Sequence, residues 1–187
     1  MAIAGNHHIT ERDLIEGCLK GDRRMQELLY QHFAPKMYAV CLRYAGNAED
    51  ARDILQDGFV KVFRSLDRYR GEGSFEGWVR RIFVNTAIEH YRKQANLYTV
   101  PENQETLIED KDLSALDNLA MKDLVALIQQ LSPGYRTVFN LYAVEGYTHK
   151  EIAELLGISE GTSKSQLARA KAILQNLVKQ RRSEERS

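Results

Sequence analysis

The chain has 187 residues, of which 43% are hydrophobic, and its 26 basic side chains are balanced by 26 acidic ones. This hydrophobic fraction suffices for a packed core, whereas a net charge of zero decides nothing about nucleic acid until the charges are located. Two cysteines, Cys18 and Cys41, exclude a disulfide scaffold and suit a reducing cytoplasm. Because no leader pattern and no apolar run of about 20 residues is present, we expect a cytoplasmic protein without membrane insertion.

Helical periodicity dominates the chain, because prolines are few and strand-like alternation is scarce. The pattern predicts an all-α fold with helices over 10–20, 22–45, 48–67, 75–94, 117–131, 133–144, 149–156 and 160–181. The stretch 96–118 breaks this pattern, since it holds Pro101, six acidic residues and one lysine. Such a composition predicts a flexible acidic linker. The linker divides the chain into two small helical domains, 10–95 and 119–182.

The predicted helix 48–67 has one apolar and one charged face, by the helical period. The apolar face consists of Ala51, Leu55, Phe59, Val62 and Leu66. The opposite face consists of Asp50, Asp53, Asp57, Lys61 and Arg64, with Gln56 beside it. Three carboxylates at this spacing are typical of a solvated face, and a surface for a basic partner is the functional alternative. A metal site is disfavoured, because no histidine or cysteine is near enough to complete it.

The predicted helix 75–94 places an aromatic ring among polar side chains. Its core face consists of Phe75, Val79, Ile82, Phe83, Thr86 and Ala87. A second face consists of Trp78, Arg81, Asn85, Glu89 and Arg92, a set suited to stacking and phosphate contact with single-stranded nucleic acid. Burial of Trp78 in the core is the equal alternative. The preceding loop, 68–74, contains two glycines and exposes charged and aromatic residues that suit contact with a flipped base.

The C-terminal third has the layout of a helix-turn-helix. Ser132 and Pro133 predict a helix start, and this helix is expected to bury Val138, Leu141 and Tyr142 and to end near Gly146. Thr148 and Glu151 fit a capping box. Gly157 then supplies a turn, and Ser159 caps the next helix.

The second helix of this motif is expected to meet DNA. Its first turns offer polar groups for base edges, namely Glu160, Thr162, Ser163, Lys164 and Gln166. Its basic residues are placed for phosphates, namely Arg169, Lys171, Lys179, Arg181 and Arg182. Packing is assigned to Leu167, Ala170, Ile173, Leu174 and Leu177. A helical bundle with a solvated basic face is the alternative interpretation.

Three motifs in this order resemble the extracytoplasmic-function (ECF) group of the sigma-70 family. The run 50–63 (DARDILQDGFVKVF) resembles region 2.2, and 70–82 (RGEGSFEGWVRRI) with Asn85 is similar to regions 2.3 and 2.4. Leu131-Ser132-Pro133, 146–153 (GYTHKEIA) and 157–162 (GISEGT) are similar to region 4. Many members have valine at the position of Ser163 and arginine at that of Gln166, which leaves the −35 preference open.

The resemblance implies a non-enzymatic subunit that directs core RNA polymerase to promoter DNA. By position, the β′ clamp helices of polymerase would contact Asp50, Asp53, Gln56, Asp57 and Phe59. The −10 element would contact Arg68, Tyr69, Arg70, Trp78, Arg81, Asn85 and Arg92. The −35 element would contact Glu160, Thr162, Ser163, Lys164, Gln166, Arg169 and Lys171. The polymerase β flap and an anti-sigma factor are the other implied partners.

Two other classes of function are the alternatives. The first is a stand-alone helix-turn-helix regulator whose N-terminal module senses a ligand or dimerises. The second is an enzyme, but the sequence has no HExxH, G-x-S-x-G or P-loop spacing. We therefore predict no catalytic residue, no metal and no cofactor.

Overall fold

The structure, a computed structural model, describes residues 9–97 and 121–184, and these ranges contain helices and no strand. The N-terminal module consists of α1 (Glu11–Leu19), α2 (Arg23–Tyr44), α3 (Ala48–Ser65), a 3-10 turn (Leu66–Arg68) and α4 (Phe75–Leu97). The C-terminal module consists of α5 (Met121–Gln129), α6 (Pro133–Phe139), a π-helical turn (Asn140–Val144), α7 (His149–Leu156) and α8 (Glu160–Glu184). The all-α prediction is confirmed. The predicted linker lies outside the described residues except for 96 and 97.

Side-chain caps set the helix starts, because the first N–H groups of a helix lack partners within it. Asn47 caps α3 by accepting from the N–H of Asp50 at 2.8 Å. The predicted capping box is confirmed, since Thr148 Oγ1 accepts from the N–H of Glu151 and the Glu151 carboxylate accepts from the N–H of Thr148. Ser132 occupies the cap position of α6, but its hydroxyl makes no capping hydrogen bond.

The core of the N-terminal module lies where α2, α3 and α4 meet. The predicted core face of α4 is confirmed, with Ile82 only half-buried. Of the predicted apolar face of 48–67, only Leu55 departs, because it is half-buried while Ile54 beside it is 1% exposed. The other four members are buried as predicted: Ala51, Phe59, Val62 and Leu66. Gly58 permits the close approach of α3 and α4, since a Cβ added there would lie 2.3 Å from Cε1 of Phe83.

The core of the C-terminal module is formed mainly by α6 and α8, with α7 across them. Leu167, Ala170 and Leu174 are buried as predicted. Two predictions are wrong: Ile173 is 36% exposed, and Tyr142 is 40% exposed. Tyr142 points outward because it lies in the π-helical turn, whose wider winding changes which residues face the core.

The two modules are in direct contact at the C-terminal end of α2. A helix leaves its last carbonyls without N–H partners, and three of them accept hydrogen bonds from the other module. Gln129 donates to Leu42 O at 3.1 Å, Asn140 to Arg43 O at 2.8 Å, and Arg136 to Tyr44 O at 3.3 Å. The buried side chains of both modules form one continuous cluster. None of the described helices is long and apolar enough to cross a membrane.

Candidate functional site

The acidic face of α3 is largely open to solvent. Asp53, Gln56 and Asp57 are exposed, whereas Asp50 is half-buried and accepts from Asn47 Nδ2 at 3.1 Å. No metal-binding group of three His, Cys, Asp or Glu side chains occurs within 9–97 and 121–184. Because Asp53, Gln56 and Asp57 are exposed, the face is accessible to a protein partner.

Phe59 is the one expected polymerase contact that the structure turns inward. Its side chain is 4% exposed, and its ring packs 4.5 Å from that of Tyr30 and 5.2 Å from that of Phe83. Its expected surface contact is therefore corrected to a core position.

Two exposed apolar side chains that were not among the predicted contacts lie beside the acidic face. Val60 is 46% exposed, three residues after Asp57, and Tyr30 on α2 is 43% exposed. An apolar centre with a polar rim is common in protein interfaces. Val60 was recognisable in the sequence as an apolar residue on the charged face of an amphipathic helix.

An aromatic cluster joins the loop 68–74 to α4. The rings of Phe75 and Trp78 stack at 5.6 Å with an interplanar angle of 17°, and Tyr69 packs 5.0 Å from Phe75 and 5.5 Å from Trp78. The Tyr69 hydroxyl also donates to Gly73 O at 3.0 Å. Trp78 therefore agrees in part with both predicted roles, burial in the core and stacking on nucleic acid, because it packs on the rim of the core and its ring remains partly exposed.

The loop and α4 surround this cluster with polar groups. Arg68, Arg70, Arg81 and Asn85 are exposed, and positive φ values of 75° and 77° at Gly71 and Gly73 turn the loop. Base stacking needs an accessible ring with cationic or hydrogen-bonding neighbours. Trp78 supplies the accessible ring, and the exposed arginines and Asn85 supply the cationic and hydrogen-bonding neighbours.

The polar face of α4 also borders the C-terminal module. Arg81 and Asn85 line a cleft of about 580 Å³ whose opposite wall includes Glu145, Tyr147 and Glu151. Further along α4, Arg92 donates a hydrogen bond to Leu155 O at the end of α7. Three of the expected −10 residues on this helix, Arg81, Asn85 and Arg92, therefore border the other module.

The helix-turn-helix forms as the sequence predicts. Gly157 ends α7 with a φ of 69°, in the left-handed region that glycine adopts without strain. Ser159 Oγ then accepts from the N–H of Thr162 at 2.9 Å and so caps α8. Glu160 and Lys164 are exposed in the first turns of α8. These side chains are available to a base edge or a phosphate.

Four of the expected −35 residues are less available. Ser163 has no exposed surface, and its hydroxyl pairs with His149 Nδ1 at 2.9 Å, so its expected base contact is corrected to a contact within the module. Gln166 Oε1 is buried. Arg169 donates to the Tyr135 hydroxyl at 3.2 Å, and Lys171 is half-buried.

His149 connects the two helices of the motif. Its ring stacks on Tyr142, with centroids 4.6 Å apart and an interplanar angle of 21°. Burial lowers the pKa of His149 below 6.5, and the positive charge of Lys164 acts in the same direction. The neutral ring is therefore the form that the folded module favours.

Acidification is expected to weaken the C-terminal module through His149. The pKa of His149 is lower in the folded chain than in the unfolded chain, so on acidification the unfolded chain takes up the proton first. The contribution of the neutral ring to the free energy of unfolding is therefore complete above the pKa of the unfolded chain, and it is lost as the pH falls towards the pKa of the folded chain. Urea unfolding at about pH 7.5 and about pH 5 measures this loss. His149→Gln should reduce it and His32→Gln, at an exposed site, should not. An identical loss in all three proteins would contradict the assignment.

Comparison with known proteins agrees with this architecture. The family model for sigma-70 region 2 matches residues 29–97, and the one for sigma-70 region 4 matches residues 121–174. The chain belongs to the sigma-70 family. The first match contains the acidic face of α3 and the aromatic cluster, and the second contains the helix-turn-helix of this sigma factor.

Its curated relatives include ECF-type sigma factors. The RNA polymerase sigma-H factor of Pseudomonas aeruginosa is 29% identical over 173 residues, covering 86% of this chain and 90% of the relative. The ECF RNA polymerase sigma-E factor of Haemophilus influenzae is 28% identical over 185 residues, covering 91% and 96%. A co-crystal structure of the sigma factor RpoE with the anti-sigma factor NepR from Bartonella quintana matches with a TM-score of 0.48 and 21% identity, covering 82% and 96%.

Proposed function

We propose that this ECF-type sigma factor binds core RNA polymerase and directs it to promoters through its two modules. The observation that carries the proposal is the order of region 2 and region 4 in one chain, each with an accessible surface of the required chemistry. The N-terminal module, 10–95, would bind polymerase and the −10 element. The C-terminal module, 119–182, would read the −35 element and contact the β flap, with 96–118 as the linker. Such a factor would act in the cytoplasm, where it meets polymerase and DNA.

The polymerase contact is assigned to the acidic face of α3. Asp53, Gln56 and Asp57 present charge and hydrogen-bond acceptors, and Val60 with Tyr30 adds apolar area beside them. Charge complementarity would then orient the β′ clamp helices, and the apolar side chains would supply most of the burial.

Capture of the −10 element is assigned to the aromatic cluster and its arginines. Stacking of an unpaired base on an aromatic ring contributes about 1–3 kcal/mol, and the partly exposed ring of Trp78 is such a platform. The exposed Arg68, Arg70 and Arg81 would hold the phosphates on either side. A melted strand would thereby be trapped as it forms.

The core polymerase interaction is tested by co-purification of the full-length chain with core enzyme. We expect a stoichiometric complex that survives gel filtration. A stand-alone regulator would bind a DNA fragment but leave core polymerase unbound, and that result would overturn the proposal.

Recognition of the −35 element is expected to depend on Lys164, whose side chain is 64% exposed in α8. Lys164→Ala should weaken binding and reduce the slope of log K against log salt by about 1, because one phosphate contact is lost. Binding to promoter fragments over a salt series measures this slope. Lys20→Ala is the matched control, since it removes an exposed lysine from the other module. Equal slopes for both variants would contradict the assignment.

We also propose that an anti-sigma factor holds the protein inactive. The RpoE relative was crystallised with the anti-sigma factor NepR, and the exposed acidic face of α3 is a surface that an inhibitor can cover. A protein that co-purifies with the tagged chain from resting cells should suppress transcription when it is added back. Full activity of the chain in resting cells would contradict this regulation.

A further inference from the structure

We propose that His149 is a further DNA contact of the helix-turn-helix, and that it takes up a proton when a phosphate binds beside it, so that −35 binding strengthens as the pH falls. The inference deepens the −35 reading proposed above and rests on it. It concerns a residue outside the expected −35 set, and it gives one nitrogen of the His149 ring a partner on the DNA.

The position of His149 places it at the DNA face of the motif. It is the first residue of α7, and its Nδ1 lies 2.9 Å from Oγ of Ser163 in the first turns of α8. In a helix-turn-helix the first turns of the second helix meet the bases, while the first helix crosses the sugar-phosphate backbone. The ring therefore lies where both helices approach the DNA.

Two contacts fix the orientation of the ring and leave one nitrogen for an outside group. Ser163, which has no exposed surface, holds Nδ1, and Tyr142 stacks on the ring with centroids 4.6 Å apart. Nε2 of the half-buried ring has no hydrogen-bond partner within residues 9–97 and 121–184. A protonated imidazole donates from both nitrogens. Nδ1 can therefore keep its contact with Ser163 while Nε2 donates to a phosphate oxygen.

The charges around His149 disfavour a proton in the free protein. Burial lowers the pKa of His149, and the positive charges of Lys164 and Lys171 on α8 act in the same direction. Glu160, also on α8, opposes them in part. The neutral ring therefore predominates until another negative charge arrives.

The other charged groups on and beside α7 are engaged elsewhere or lie in solvent. The Glu151 carboxylate accepts from the N–H and the hydroxyl at the helix cap, and Lys150 is exposed. Arg92 of α4 bonds to a carbonyl at the far end of α7. The π-helical turn presents only the uncharged ring of Tyr142. The proton on His149 is therefore controlled mainly by burial and by the charges on α8.

A bound phosphate would reverse this balance. Its negative charge offsets that of the neighbouring lysines and favours the imidazolium form, which also gains a cation–π contact with Tyr142. A unit charge about 6 Å from a phosphate in water-like surroundings corresponds to roughly threefold in affinity. Binding and protonation therefore strengthen each other, because each raises the affinity for the other by the same factor.

No other histidine lies in the C-terminal module. His149 is the only histidine between residues 98 and 187, and both cysteines lie in the N-terminal module. Histidine is the side chain that ordinarily titrates between about pH 5 and 8. A pH dependence of −35 binding in this range therefore has one principal candidate, which a single substitution removes.

Binding of the full-length chain to a DNA duplex tests the linkage. The duplex is one that the chain selects from a random pool, and its affinity is measured at about pH 6 and about pH 8. Low salt is used, because phosphate contacts are strongest there. We expect the native chain to bind at least roughly threefold more tightly at the lower pH. Equal affinities, or tighter binding at the higher pH, would overturn the proposal.

Substitutions at His149 imitate its two charge states. His149→Gln is neutral and should bind at both pH values as weakly as the native chain does at the higher pH. His149→Lys has a permanent charge and should bind at both as tightly as the native chain does at the lower pH. His32→Gln, at an exposed site in the other module, should keep the native pH dependence. A full pH dependence in His149→Gln or in His149→Lys would overturn the proposal.

Glu160 is the other group beside the ring that a phosphate could cause to titrate, since its charge also acts on His149. Glu160→Gln should keep the pH dependence of binding, because the histidine remains. Loss of the dependence in Glu160→Gln together with its survival in His149→Gln would assign the proton to the carboxylate and overturn the proposal.

Nuclear magnetic resonance of the histidine rings locates the proton directly. The His149 signal is identified by its loss in His149→Gln, and circular dichroism at both pH values confirms that each variant is folded. The titration midpoint of His149 should move to higher pH when the selected duplex is added, whereas that of His32 should not move. An unchanged midpoint for His149 would overturn the proposal.

The outcomes separate this inference from the proposed function. If the chain selects a duplex and transcribes with core polymerase, but the native chain and His149→Gln share one pH dependence, only the proton-linked contact is overturned. If the chain selects no duplex and supports no transcription, the −35 reading and the inference that rests on it are both overturned.

Discussion

Replacing Asp57 with lysine is expected to weaken binding to core polymerase by at least roughly 30-fold while the helical circular dichroism stays native. Asp57 is exposed on the acidic face of α3, so the folded chain tolerates the change. In an interface, close charge pairs contribute about 1.5–7 kcal/mol, and reversing one charge converts attraction into repulsion. A loss of about 2 kcal/mol corresponds to the 30-fold change.

Titration of labelled core polymerase with each variant measures this affinity. The matched control is Asp67→Lys, which makes the same charge change at an exposed position beyond the end of α3. We expect its affinity to stay close to that of the native chain. Equal affinities for the Asp57 and Asp67 variants would show that the acidic face of α3 is not the polymerase contact.

Replacing Gly58 with valine is expected to lower the free energy of unfolding by about 1–3 kcal/mol or more. The first added carbon would lie 2.3 Å from the ring of Phe83, which has no exposed surface and packs edge-on against Phe59. The ring has no free space to enter, so α3 and α4 must move apart. Urea unfolding followed by circular dichroism measures the effect.

Gly161 provides the matched control for Gly58. It also lies in a helix, but the nearest atom to an added Cβ is Ser159 Oγ at 3.6 Å, an ordinary contact. With alanine at both positions, Gly161→Ala should leave stability unchanged or raise it by up to about 1 kcal/mol, whereas Gly58→Ala should lower it. Reducing the ring with Phe83→Leu should also make Gly58→Ala less harmful than it is alone. Additive effects of these two changes would contradict direct packing between them.

The helices were predictable because their signals are local. Caps such as Thr148 and turns such as Gly157 act within a few residues, and the apolar period marks the buried faces. The sequence motifs also predicted the family, since both modules contribute a match. Apart from Phe59 and Ser163, the residue assignments within the interfaces stay predictions.

The errors within the modules have two physical causes. Ser163 is in helical register with the buried Leu167, Ala170 and Leu174, but its polarity suggested a DNA contact; His149 satisfies its hydroxyl inside the module. Tyr142 was misplaced because the turn at Asn140–Val144 is π-helical. A wider turn shifts the phase of the period that follows, which exposes Tyr142 and brings Glu145 to the cleft beside α4.

The contact between the modules could not be predicted from residue patterns. Its acceptors on α2 are backbone carbonyls, which every residue has, so no residue type marks them. Its donors Gln129 and Asn140 are ordinary polar residues of helical segments. The long linear separation between the partners gives no local signal either.

The sigma function is tested most directly by in vitro transcription with core polymerase on a library of fragments from the source genome. We expect transcripts that require this chain and that start downstream of a shared pair of −35 and −10 elements. Asp57→Lys should abolish them, and the shared elements would supply the promoter sequence. If no transcript depends on the chain while core polymerase is active with another sigma factor, the proposed function is contradicted.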